Sequence, residues 1–107
     1  MSRKVELRAE RYGLDKRNLW AWIDGNGGLH VDGQDLGPGT APVSDDGEYE
    51  WTWTTEAADL PQLIELLGGD PGVDVLDLLG QRYTGEGSYE LEKILGDSAT
   101  PSRFTRW

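Results

Sequence analysis

The chain has 107 residues, a formal net charge of −10 and no cysteine. This length predicts one domain, residues 1–107, with a single modest core. The lack of cysteine excludes disulfides and thiolate metal sites, and the negative charge disfavours nucleic acid and anionic membranes as partners. The sequence shows no signal peptide and no apolar run of membrane-spanning length, so we expect a cytoplasmic protein.

Four strands are predicted in the first half of the chain. Alternation of apolar and polar residues over 4–11 and 48–54 is typical of half-buried strands. Residues 18–24 are apolar on both sides, which is typical of a central strand covered on both faces. The Asn-Gly step within residues 25–28 predicts a hairpin that leads into a short third strand, 29–32.

The second half of the chain changes to helical periodicity after a loop. Residues 33–47 are rich in Gly, Pro, Ser and Asp and predict that loop. Asp59 and Ser88 are the expected N-caps of the first and third helices. Three helices are predicted over residues 60–67, 73–83 and 88–95, and a last strand over 103–107. This order predicts an α+β fold, an antiparallel sheet of about four or five strands with three short helices packed on one face.

Acidic residues dominate the middle of the chain. From Asn18 to Gln81 there is no lysine or arginine, and thirteen carboxylates occur. Six carboxylates lie on or beside the predicted fourth strand: Asp45, Asp46, Glu48, Glu50, Glu56 and Asp59. We expect them to cluster near one edge of the sheet as a docking surface for a basic protein. The alternative is a solvated face that keeps the protein soluble.

Tryptophans form a second candidate surface. Trp20 and Trp22 share one face of their strand, and Trp51 and Trp53 share one face of theirs. They either pack under the helices, where aromatic side chains bury large areas, or form an exposed aromatic face. Such a face would bind a small molecule, a partner protein or a second copy of the chain.

No catalytic or metal-binding pattern carries an activity. His30 is the only histidine, and Asp32 shares its face, but no nucleophile motif accompanies this pair. Residues 24–35 begin like a calcium loop, yet Leu29 and Asp35 replace its central glycine and its final glutamate. The sequence therefore predicts a non-enzymatic protein without catalytic residues, metal or cofactor.

Four segments carry a resemblance to small acidic uncharacterised proteins of actinobacterial genomes. They are residues 19–24 (Leu-Trp-Ala-Trp-Ile-Asp), 33–37 (Gly-Gln-Asp-Leu-Gly), 49–51 (Tyr-Glu-Trp) and 88–92 (Ser-Tyr-Glu-Leu-Glu). This resemblance implies no active site. In size, acidity and order of elements the chain is also similar to bacterial immunity proteins, which neutralise basic toxin domains. That similarity implies an immunity-like or antitoxin-like inhibitor whose partner is a basic toxin or nuclease.

Overall fold

A computed structural model describes residues 3–37 and 48–106 of the chain. Five strands and three helices follow in the predicted order. The strands are β1 (Lys4–Tyr12), β2 (Asp15–Ile23), β3 (Leu29–Leu36), β4 (Glu48–Thr55) and β5 (Arg103–Arg106). The helices are α1 (Leu60–Leu66), α2 (Val75–Arg82) and α3 (Glu86–Leu95), and a 3-10 turn, Ala57–Asp59, precedes α1.

The five strands form one antiparallel sheet in the order β1-β2-β3-β4-β5. Tight turns join the first three strands. Gly13, at φ 63°, lies in the turn between β1 and β2. In the predicted Asn-Gly hairpin the Asp24 carboxylate accepts the backbone N–H groups of Asn26 and Gly28. Gly27 takes the positive φ of 84° that this turn requires.

The third strand is longer than predicted, because β3 continues through Leu36 instead of ending at Asp32. Gly33 pairs with Leu19 on one side and with Trp51 on the other, so it lies inside the ladder and not in a loop. The composition of this segment misleads because glycine is also used in strands where another side chain approaches closely. The remainder of the predicted loop, residues 38–47, lies outside the described residues.

All three helices pack on one face of the sheet, and the α+β prediction is confirmed. The core between the two layers contains Leu19, Ala21, Val31 and Trp51 from the strands. From the helices it contains Leu63, Ile64, Leu67, Val75, Leu76, Leu78, Leu79, Leu91 and Leu95. The predicted helical stripes therefore supply the apolar side of each helix.

Asp59 is the N-cap residue of α1 as predicted, although its side chain makes no capping bond. The predicted cap Ser88 is wrong. Ser88 lies inside α3, fully buried, because the helix begins two residues earlier, at Glu86. The side chain that does cap a helix is Asp74, whose carboxylate accepts the N–H of Asp77 at 3.1 Å in the first turn of α2.

A β-bulge in β1 changes which side chains face the helices. The register with β2 shifts between Glu6 and Arg8. After the shift Arg8 pairs with Leu19, a core residue, so Arg8 turns toward the helical layer. Its side chain is only 3% exposed. The bulge thereby brings a cation into the interface between sheet and helices.

Candidate functional site

One broad face of the sheet is covered by none of the helices in residues 3–37 and 48–106. We call it the open face and define it by the side chains that alternate away from the core. It comprises Lys4, Glu6, Ala9 and Arg11 of β1, Lys16, Asn18, Trp20 and Trp22 of β2, His30, Asp32, Gln34 and Leu36 of β3, Glu48, Glu50, Thr52 and Thr54 of β4, and Arg103 and Thr105 of β5. It holds two of the tryptophans and two of the predicted contact carboxylates, which makes it the candidate site.

The four tryptophans do not form one aromatic face. In the aligned rows of the sheet Trp20 lies opposite Asp32, whereas Trp51 lies opposite Gly33, the next residue of β3. Because successive side chains of a strand point to opposite sides, Trp20 and Trp51 face opposite sides of the sheet. Trp20 and Trp22 therefore belong to the open face, and Trp51 and Trp53 to the helical side.

The expectation that β2 is covered on both faces is wrong. Leu19 and Ala21 are buried beneath the helices, but on the other side Trp20 and Trp22 are only partly buried. Neighbouring side chains of the open face supply their cover. Lys4 places its ammonium 4.8 Å from the centroid of the Trp20 ring, and the rings of Trp22 and His30 stack with centroids 4.3 Å apart.

On the helical side, one carboxylate holds both indoles. Glu92 of α3 accepts the Nε1–H groups of Trp51, at 2.7 Å, and Trp53, at 2.8 Å. The other oxygen of Glu92 lies 2.9 Å from Nη2 of Arg8. Arg8 also donates from Nε to the Ser88 hydroxyl at 2.8 Å. This cluster ties β1 and β4 to α3 and gives Trp51 and Trp53 a structural role.

A second partly buried carboxylate lies at the same end of the sheet. Asp35 of β3 is aligned with Arg17 of β2 and Tyr49 of β4. Burial raises the pKa of Asp35 above its ordinary value, against the lowering effect of Arg17 and Arg8. Its Oδ1 atom is buried and accepts no hydrogen bond within the described part of the chain.

His30 does not pair with Asp32, the carboxylate that shares its face. His30 Nε2 lies 2.7 Å from Oδ2 of Asp24, at the start of the hairpin. That hydrogen bond, together with the N–H groups of Gly28 and Asn26, lowers the pKa of Asp24. The pair joins strand and turn. The calcium-like segment, residues 24–35, likewise forms a hairpin, since both carboxylate oxygens of Asp24 are hydrogen-bonded to groups of the hairpin itself.

Asp32 lies at the centre of the open face and is held by two donors. The indole Nε1–H of Trp22 donates to Oδ2 at 2.7 Å, and the Thr52 hydroxyl donates to Oδ1. No lysine or arginine of residues 3–37 and 48–106 comes within ion-pair distance of Asp32 or Glu50. Asp32 was not among the predicted contact residues, and the alternation of β3 would have placed it beside Trp20.

The predicted acidic cluster is divided by the fold. Asp45 and Asp46 lie outside the described residues. Glu48 and Glu50 lie on the open face and share the side-chain amide of Gln34, whose Nε2 is 3.3 Å from the first carboxylate and 3.1 Å from the second. β4 is the fourth strand of five, and β5 pairs only with its residues Trp51–Thr54, so the described part of β5 does not extend along Glu48 and Glu50.

Glu56 and Asp59 lie at the other end of β4. The two ends of this eight-residue strand are roughly 24 Å apart at about 3.4 Å per residue. These two carboxylates therefore cannot contact the same small feature of a partner as Glu48 and Glu50. Over residues 56–97 the sequence has ten acidic and two basic residues, so the helical layer carries much of the negative charge.

The surface of the described residues includes the following depressions. One of about 260 Å³ lies on the open face between Lys4, Trp20, Asp32, Gln34 and Glu50. A second, of about 440 Å³, lies at the hairpin end and is lined by Asp24, Asn26, Gly28, His30, Thr54, Glu56, Ala57, Ala58 and Arg103. An apolar groove of about 840 Å³ runs along α1 and includes Leu60, Pro61, Ile64, Pro71 and Gly72.

The described residues contain no group of three or more His, Asp or Glu side chains arranged to hold a metal ion. Comparison of the chain with models of protein families, with curated proteins and with solved structures found no match. None of the helices in residues 3–37 and 48–106 has the length and apolar character needed to cross a membrane.

Proposed function

We propose that this chain is a non-catalytic binding protein that inhibits a basic partner protein, in the manner of an immunity protein or antitoxin. The contact surface is the open face. One observation carries the proposal: among the described residues no helix covers this side of the sheet, and it presents Asp32 and Glu50, which have no cationic partner there, beside two indoles.

The chemistry of the open face supports a protein partner. Interfaces concentrate their binding energy in central aromatic residues surrounded by polar groups. Trp20 and Trp22 lie near the middle of the sheet, and Asp32 and Glu50 adjoin them. Desolvation of these carboxylates by a neutral surface costs free energy, whereas lysine and arginine side chains compensate for it.

The area of the open face also fits this class of partner. Four strands of eight or nine residues and the four-residue β5, spaced by about 4.8 Å, give a flat area of roughly 550 Å². A standard interface buries about 800 Å² on each side. A partner of ordinary size therefore covers the face and reaches its rim, where Glu56 and Arg103 lie. Inhibition follows by steric and electrostatic occlusion of the partner's own substrate site.

The test begins with capture of partners from a lysate of the source organism at low salt. The association kinetics of a stoichiometric basic protein are then measured with two charge-reversal variants. Glu48→Lys/Glu50→Lys alters the open face. Glu65→Lys/Glu90→Lys alters exposed positions of the helical layer by the same net charge. The matched pair separates a specific face from general acidity.

We expect reversal on the open face to slow association by at least about tenfold at low salt, and reversal on the helices by a factor of about two or three. The difference should shrink as salt is added, because the charges are exposed to solvent. Equal effects of the two variants would refute the open face as the contact surface.

The second candidate is a domain that binds a small molecule or a second copy of itself through the aromatic residues. The depression of about 440 Å³ favours this candidate, since it is large enough for a small ligand and is lined by His30, whose ring stacks on Trp22. Sedimentation of the purified chain checks self-association. A homodimer broken by Trp20→Ala, with no basic partner captured, would favour the second candidate over the first.

A further inference from the structure

We propose that the depression beside Trp20 is an acceptor site for an arginine side chain of the partner protein, and that Lys4 occupies it in the free protein. This inference rests on the proposed function, because it assumes that the open face meets a basic protein. It adds the anchor residue of that contact and a competing group within the chain itself.

The first support is a cation already present at the site. The Lys4 ammonium lies 4.8 Å from the centroid of the Trp20 ring, within the range of a cation–π contact. It lines the depression of about 260 Å³ together with Asp32, Gln34 and Glu50. The molecule therefore shows, with its own side chain, that this indole accepts a cation.

The second support is negative charge that Lys4 does not neutralise. Within the described residues Lys4 forms no ion pair, and neither Asp32 nor Glu50 has a basic group within 4.0 Å. The Lys4 ammonium therefore lies on the indole close to Asp32 and Glu50 but forms an ion pair with neither. A larger cationic group that reaches both the ring and a carboxylate gains interactions that Lys4 does not make.

The third support is that the carboxylates are held in place before any ligand arrives. Trp22 Nε1–H and the Thr52 hydroxyl fix the two oxygens of Asp32. Gln34 donates to Glu50 at 3.1 Å. Ligand binding therefore requires little ordering of the acceptor groups, which is the usual basis of high affinity for a small anchor.

Arginine fits this arrangement better than lysine. A planar guanidinium stacks on an indole face and at the same time donates a fork of N–H groups to a carboxylate at its edge. A lysine ammonium is a compact, strongly hydrated charge that satisfies one of these contacts at a time. Anionic ligands are repelled by Asp32 and Glu50.

Lys4 is suited to leave the site. It is the first residue of an edge strand, and its side chain is exposed. A single exposed cation–π contact is weak, so an incoming arginine displaces the ammonium at small cost. As long as Lys4 remains on the ring, it competes with every ligand for the same position.

The test is an NMR titration of the indole Nε1–H signals of the intact chain at constant ionic strength. The probe is N-acetyl-arginine-N-methylamide, and N-acetyl-citrulline-N-methylamide is the uncharged control of nearly the same shape. The Trp20 signal is assigned by its loss in Trp20→Phe. We expect a saturable shift of this signal with the arginine probe and none with the citrulline probe.

Two variants sharpen the result. Lys4→Gln removes the internal competitor and should tighten binding of the arginine probe by about threefold to tenfold. Glu50→Gln removes a carboxylate with little change of shape and should weaken it by a similar factor. Equal shifts with both probes, or an affinity unaffected by Lys4→Gln, would overturn the arginine site.

The outcomes separate this inference from the proposed function. A response to the arginine probe without any effect of Glu48→Lys/Glu50→Lys on partner association keeps the arginine site and refutes the proposed docking face. Slowed association of that variant, without a specific response to the probe, keeps the docking face and overturns the arginine site.

Discussion

Replacement of Glu92 by leucine is the most informative test of the division of tryptophans between the two faces. Glu92 is the common partner of Arg8 and of the Trp51 and Trp53 indoles. Its side chain is 18% exposed, and that of Arg8 only 3%. Glu92→Leu therefore leaves one buried cation and two indole N–H groups without their acceptor, while the apolar volume of α3 is preserved.

The expected loss of stability follows from these partners. Loss of one member of a buried ion pair costs about 3–5 kcal/mol, because the other charge remains buried. Each indole N–H adds up to about 1–3 kcal/mol where water cannot replace the acceptor, and the half-buried Trp53 stays at the low end. We expect about 5 kcal/mol in total, which lowers Tm by roughly 20 °C at about 4 °C per kcal/mol.

The assay is urea denaturation followed by tryptophan fluorescence, extrapolated to zero denaturant. The double variant Arg8→Met/Glu92→Leu is the matched control, since it removes the buried cation together with its partner. It should be more stable than Glu92→Leu alone by about 1–3 kcal/mol. A loss below about 1 kcal/mol in Glu92→Leu would refute the role of Glu92 as the common partner of Arg8 and the two indoles. Strict additivity of the two single-variant losses in the double variant would refute it as well.

Two further predictions concern single positions of the sheet. Gly33→Ala should destabilise the fold by about 1–3 kcal/mol, because a Cβ at this position would lie 2.1 Å from the Trp51 ring. Gly25→Ala, where a Cβ meets nothing within 4 Å, is the control for urea denaturation, and equal stability of both variants would contradict the prediction. The bond from His30 lowers the pKa of Asp24, so its stabilising effect is present above the ordinary carboxyl pKa and is lost as the pH falls through the lowered one. Asp24→Asn should therefore lose less stability than the wild type between about pH 6 and about pH 2.5, and parallel losses in urea denaturation would argue against it.

Local sequence patterns were sufficient to predict the strands and the helices. Alternation over β4 and the apolar stripes of the helices depend on residues near one another in the chain, and both predictions are confirmed. The Asn-Gly hairpin is likewise a local signal, and it was correct. The errors occurred where a residue type has several uses, as with Gly33 and Ser88.

The candidate site depends on pairings that no local pattern contains. The alignment of β2, β3 and β4 decides which tryptophans share a face of the sheet. A shift of one residue in this alignment would move a strand's tryptophans to the opposite face. The bulge beside Arg8 depends on the pairing of β1 with β2. The contact of Arg8 with Glu92 joins parts of the chain more than eighty residues apart. One usable signal was present, since a glycine within an alternating segment often marks a close approach of another side chain.

The position of the helices within the chain has a consequence for folding. Residues 56–102 lie between β4 and β5, although these two strands are neighbours in the sheet. Pairing of β5 must therefore close a long loop, and such contacts form late. Until Arg103–Arg106 pairs, the outer edge of β4 has unpaired backbone groups that invite a strand of another molecule. Glu48 and Glu50 on that same strand repel a second copy during this interval, so the charges that we assign to partner binding also protect the newly made chain from aggregation.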